Sequence, residues 1–137
     1  MALLGLVVTV ALPMVNFSSK WELQAAAQQM AGDMRLARQE AIVDNSYSKI
    51  DFYIHSRCYR MVLTEGSRCV DLPPEVDYEG KTTFSGEPPS VYFYSLGHPN
   101  RGGTVILKTK DEKHKLYVIL SPITGRVRIS EKQPEHW

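Results

Sequence analysis

The residues whose type and spacing could do chemistry are few, and the most pointed set is Gly125-Arg126-Val127-Arg128-Ile129. On a strand, Arg126, Arg128 and Ser130 project from one side and Val127 and Ile129 from the other. Two guanidiniums about 7 Å apart, with Lys132 beyond, can contact successive phosphates of a duplex DNA backbone. The bland use of the same pattern is an amphipathic edge strand whose arginines keep that edge soluble. No RNP-type aromatic motif or recognition-helix signature accompanies it, so base reading is not expected.

Cys58 and Cys69 are the other reactive pair. A hairpin turning about Glu65-Gly66 places Cys69 opposite Val62 and not opposite Cys58. A bond between the two therefore needs a bulge, a different turn or strands of different sheets. Outside the cytoplasm the expectation is a Cys58–Cys69 disulfide, contributing about 2–3 kcal/mol; the alternative is two free buried thiols. His55, His98, His114 and His136 are scattered without ligand spacing, so no metal site is expected. HExxH, GxSxG and GxxxxGK[ST] are all absent. The expectation is therefore a protein that is not an enzyme, with no cofactor and no small-molecule substrate.

The elements that must position these residues follow from composition and periodicity. The chain has 137 residues, 43% hydrophobic and 23% charged, which suits one folded domain. Net charge is +1, which argues against a wholesale nucleic-acid binder, but the distribution is uneven. Residues 1–100 carry eight Lys/Arg against eleven Asp/Glu, and residues 101–137 eight against four. The late excess consists of Lys108, Lys110, Lys113, Lys115, Arg126, Arg128 and Lys132.

Residues 1–12, MALLGLVVTVAL, hold no charge, and the first charge is Lys20. Twelve helical residues extend about 18 Å against roughly 30 Å of bilayer hydrocarbon. No basic residues precede the run, as they would in a secretory signal. The expectation is the distal part of a longer membrane helix that begins upstream.

Ser19-x-x-Glu22 has the capping-box pattern. From there Leu23, Ala27, Met30, Met34, Ala37 and Ala41 trace one face, rich in small residues and suited to close packing on a sheet or another helix. Gln24, Gln28, Arg35, Arg38 and Gln39 lie largely off it. Asp44-Asn45 supplies a stop. Residues 1–43 thus read as one long helix, bent or loosened at Pro13. Beyond it, residues 48–54, 58–63, 68–72, 90–95, 104–109, 115–121 and 126–130 read as seven short strands between turns. The expected fold is α+β, a long N-terminal helix on an antiparallel β-rich head. Its expected parts are 1–18 (apolar), 19–44 (amphipathic helix) and 45–137 (head).

These pieces resemble the minor pseudopilins of type IV filament systems, the GspH/FimT family. LLGLVVTVALPMV at 3–15 is similar to the pilin transmembrane segment with its proline. AAAQQMAGDMRLARQEAI at 25–42 looks like the family's second half-helix. VDLPPEV at 70–76, VYFYSLGHPNRGGTVIL at 91–107 and TGRVRI at 124–129 follow its β pattern. The resemblance implies a pilin-like subunit in the bacterial cell envelope, anchored in the cytoplasmic membrane by its N-terminal helix. Its head lies outside, and it is assembled with other pilins or pseudopilins into a filament for type II secretion, type IV pili or competence. Leu6, Val7, Val10, Pro13, Leu23, Ala27, Met30 and Met34 would serve helix packing and assembly. Some DNA-uptake members bind DNA through a GRxR ending, which carries over to Arg126 and Arg128. The family's leader glycine, Phe and Glu, where processing and methylation occur, would all lie upstream of Met1. The readings in competition are a DNA-receptor minor pilin and an unrelated secreted or membrane-tethered ligand-binding β domain.

Overall fold

The computed structural model describes residues 18–80 and 82–135. Expectations for the apolar run and for Leu6, Val7, Val10 and Pro13 lie outside the described residues. Among these residues the helix α1 (Ser18–Val43) is followed by β1 (Ser48–Tyr53), β2 (Cys58–Leu63), β3 (Gly66–Asp71), β4 (Val76–Tyr78), β5 (Ser90–Phe93), β6 (Gly103–Thr109), β7 (Lys115–Leu120) and β8 (Val127–Ser130). They form two four-stranded antiparallel sheets, ordered β3-β2-β1-β5 and β4-β6-β7-β8. The eighth strand is β4. It has only three residues and follows Pro73-Pro74, too short for alternation to register in the sequence.

Helix α1 ends where Asp44-Asn45 predicts. The amide of Ser46 donates to the Ala41 carbonyl at 3.1 Å, and Asn45 takes a left-handed φ of 49°, which asparagine tolerates. Ser19 lies inside the helix, and Glu22 Oε2 is buried without a hydrogen-bond partner among the described residues, so Ser19-x-x-Glu22 does not mark a helix start.

The stripe Leu23, Ala27, Met30, Met34, Ala37 and Ala41 is wholly buried, together with Ala26 and Ala31. Its alanines let the helix approach the sheets closely. Ile50, Phe52, Tyr59, Met61, Val91 and Phe93 meet it from the first sheet, and Val105, Leu107, Val118 and Leu120 from the second. Leu23, Ala27, Met30 and Met34 are therefore consumed by the chain's own core. Their packing partners are the chain's own sheets.

A charged group of α1 is buried here. Asp33 on α1 is only 5% exposed. It accepts hydrogen bonds from the Tyr59 hydroxyl, from Gln29 Nε2 at 3.2 Å and from Arg68 Nη2 at 3.1 Å. The carboxylate is thus satisfied by β2, β3 and its own helix, as a buried charge must be.

The two sheets meet at a second seam. The Phe84 ring stacks on Phe52 at 5.4 Å and lies so close to Gly103 that an added Cβ would stand 2.6 Å from it. Tyr78 donates to the Cys58 carbonyl at 2.9 Å, and Arg57 donates to the carbonyls of Pro73 at 2.9 Å and Val76 at 2.6 Å.

Asp33→Ala strands the Tyr59 hydroxyl and frees Arg68, and should lower unfolding free energy by about 2–3 kcal/mol in urea titrations. An unchanged midpoint would contradict the role. Burial first, then the Asp33 hydrogen bond, pushes the Tyr59 hydroxyl well above the ordinary tyrosine range, and burial does the same to Tyr78. Unfolded tyrosines ionise near pH 10. Above that pH the unfolded chain releases protons that the folded chain keeps, so this stability is complete below about pH 10 and lost as pH rises beyond it. In an alkaline ultraviolet titration, some of the seven tyrosines should ionise only as the helix signal collapses.

Candidate functional site

The GRVRI segment is built on a tight junction between α1 and two loops. Gly125 has φ of 70°, and a Cβ there would stand 2.7 Å from the Gly97 carbonyl oxygen and 3.0 Å from Arg38 Nε. Arg38 Nε donates to that same Gly97 carbonyl at 2.7 Å. The glycine is needed by the backbone, and it delivers the chain into β8 beside the helix.

Arg126 just precedes β8 and Arg128 lies within it, paired across the ladder with Ile119. Both side chains are exposed, as the strand periodicity predicts, while Val127 points into the core. Lys132 is also exposed, but it lies beyond the far end of β8, past a turn in which Ser130 Oγ donates to the Lys132 carbonyl at 3.0 Å. The structure thus brings Arg126 and Arg128 together and leaves Lys132 apart.

It also adds two residues that the motif alone does not reveal. Arg35 Nη2 donates to the Val127 carbonyl at 3.0 Å, and Arg38 holds the 97 loop. Their position off the apolar helix stripe was the available signal. Among the described residues, none of Arg35, Arg38, Arg126 and Arg128 forms an ion pair with a carboxylate. Arg126 and Arg128 thus present an exposed guanidinium pair suited to anionic groups, while Arg35 and Arg38 are engaged with backbone carbonyls.

The two cysteines are free, where the sequence reading expects a disulfide; Cys58 is half-buried and Cys69 exposed. The hairpin turns at Thr64-Glu65, one residue earlier than expected, because Leu63 pairs with Gly66. Cys58 then faces Asp71 and Cys69 faces Arg60. The thiols are diagonal neighbours, a relation about 7–8 Å across, whereas a disulfide needs Cβ atoms about 3.5–4.5 Å apart. Burial, with Asp71 and Cys69 nearby, pushes the Cys58 thiol upward.

A cleft of about 1000 Å³ opens beside the seam between the sheets, with Phe52, Tyr78 and Phe84 among its apolar lining and Arg57 and Asp77 among its polar lining. Arg57 is engaged with backbone carbonyls and with Asp77 at 3.8 Å, so this polar pair braces the fold. Among the described residues, no three His, Cys, Asp or Glu converge to hold a metal, and no helix is long and apolar enough to cross a membrane. Large apolar side chains are left exposed on the outward side of α1 (Trp21, Leu36, Ile42, Val43) and on the loops at its C-terminal end (Leu96, Ile123).

Comparison with known proteins agrees with this geometry. A model of the family described as type II transport protein GspH matches residues 26–125, stopping one residue before Arg126. The fold is similar to that of the minor pseudopilin EpsH from the type 2 secretion system of Vibrio cholerae. The TM-score is 0.66 and the identity 14%, over 80% of this chain and 97% of that one. It is also similar to the type IV minor pilin FimU of Pseudomonas aeruginosa, with TM-score 0.63 and 20% identity over 87% and 97% of the two chains. At these identities the likeness is one of fold. No curated protein sequence matches.

Gly125→Ala should cost about 1–3 kcal/mol of stability, from backbone strain and the contact with Gly97, while Arg126→Ala leaves the urea midpoint nearly unchanged. Equal midpoints for the two variants would contradict the backbone role. Cys69 should react with a maleimide faster than Cys58 at neutral pH, since Cys58 is less accessible and burial holds its thiol above the ordinary range. A chain in which neither thiol reacts before reduction would restore the disulfide.

Proposed function

The chain belongs to the GspH family of type II transport proteins, and from that premise we propose that it is a minor pseudopilin or minor pilin, a structural subunit of a type IV filament machine. The observation that carries the reading is the family match over residues 26–125, which takes in most of α1 and the head through β7. The fold supports it: a helix is bound along one side to a β head, while its other side, with Trp21, Leu36 and Val43, stays exposed. In this reading residues 1–12 belong to the membrane-anchoring helix, and the outward helix side packs against neighbouring subunits. The reading is structural and assigns the chain no catalytic step.

A second reading within the same class is DNA reception through Arg126 and Arg128. It is favoured by the exposure of both arginines, neither of which is neutralised by a carboxylate among the described residues. Lys132 contributes only to a ligand long enough to follow β8 to its far end.

For the first reading, the full chain expressed in a bacterium with a filament system should fractionate with envelope membranes and co-purify with other pilin-like subunits. A soluble, unassociated product would contradict it. For the second, fluorescence anisotropy with labelled duplex DNA should show affinity that falls steeply with salt. The Arg126→Ala/Arg128→Ala variant should weaken it and reduce the salt slope by roughly one for each phosphate no longer neutralised. No binding at low salt would leave the arginines as protein-contact residues.

A further inference from the structure

The lysines near the other end of the head form a surface that neither reading uses. A recess is lined by Lys20, Leu23 and Gln24 of α1, by Lys113 and His114 of the β6–β7 turn, and by Lys115 and Leu116 of β7 with Glu131. The nearby carboxylates are mostly taken. Lys108 holds Glu112 at 2.8 Å and Glu79 at 3.1 Å, and Asp111 accepts from the Thr109 hydroxyl and the Lys113 amide. Lys115 stands 3.6 Å from Glu79, while Lys20 and Lys113 have no carboxylate partner among the described residues. Glu131 is the acidic residue in the recess itself, so positive charge prevails there.

Two further facts say what this charge faces. Lys20 is the first charge of the chain and follows the uncharged run of residues 1–12 by only seven residues, so the lysines gather where the domain meets its most apolar segment. Trp21, adjacent to Lys20, is 70% exposed. An exposed indole next to Lys20 and close in sequence to an apolar run is the pattern of side chains at a membrane–water boundary.

We infer that Lys20, Lys113 and Lys115, with Trp21, form a docking surface for anionic phospholipid headgroups that seats the head against the membrane surface. The inference rests on the membrane-anchored reading of residues 1–12. A lysine near an anionic surface changes partitioning by about fivefold, and salt weakens the attraction. The seat is thus strong enough to orient the head, and it can be released when the subunit leaves the bilayer.

The test uses the full chain carrying Trp137→Phe, which leaves Trp21 as the one tryptophan. It is reconstituted with vesicles of phosphatidylcholine alone or of phosphatidylcholine rich in phosphatidylglycerol. Flotation measures anchoring, and quenching of Trp21 by brominated phospholipid measures seating. The expected result is flotation with both compositions. Quenching should be several-fold stronger on the anionic one, reduced by high salt, and abolished in Lys20→Glu/Lys113→Glu/Lys115→Glu although that variant still floats. Flotation with equal quenching on both compositions, insensitive to salt, would overturn the docking surface and leave the anchor intact. Failure to float with either would overturn both. Duplex DNA that lifts Trp21 off anionic vesicles in the parent chain but does not bind the lysine variant would reassign the surface to nucleic acid.

Discussion

The arrangement depends on how one helix is held by two sheets that share no strand pairing. On one side the buried carboxylate of Asp33 gathers Tyr59 from β2 and Arg68 from β3. On the other, Arg35 and Arg38 reach the backbone carbonyls of Val127 and Gly97. Between these polar ties runs the buried stripe from Leu23 to Ala41, whose alanines permit close approach. Dispersion and hydrophobic burial supply most of the adhesion, but they are tolerant of small shifts along and around the helix. The polar ties are directional, and a buried carboxylate without its donors is costly, so they fix the register.

That constraint divides the surface of the molecule. The inner side of α1 is spent on its own head, which leaves the outward side and the loops around its C-terminal end for neighbours. The same placement separates the basic residues into two groups. Arginines cluster where α1 meets the entry to β8, and lysines cluster near the first described turns of α1. A net charge of +1 conceals both groups, because the carboxylates lie largely elsewhere or are already paired.

Much of this was legible in the sequence. The helix stripe was visible because apolar spacing of three and four is long-range and regular, and seven strands were visible from alternation. The exposed faces of Arg126 and Arg128 followed from the same two-residue period. What stayed hidden depended on partners distant in the chain. Asp33 looks like a surface residue until Tyr59 and Arg68 arrive, and Arg35 and Arg38 look solvated until β8 and the 97 loop arrive. Two expectations failed on local geometry. A turn centred one residue earlier moved Cys69 from Val62 to Arg60, and a helix already formed at Ser18 placed Ser19 inside it and not at a cap. The β4 strand is defined by its pairing with β6, which three residues cannot announce.

Filament membership predicts that the outward side of α1 touches other subunits while the outer surface of β3 does not need to. A photo-crosslinking amino acid placed at Gln28, on the exposed side of the helix, and at Ser67, on β3, would compare the two surfaces in cells that build a type IV filament. The account predicts adducts between position 28 and another pilin-like subunit, in excess of those from position 67. A membrane-associated, folded chain that gives no pilin-containing adduct from position 28 would contradict it.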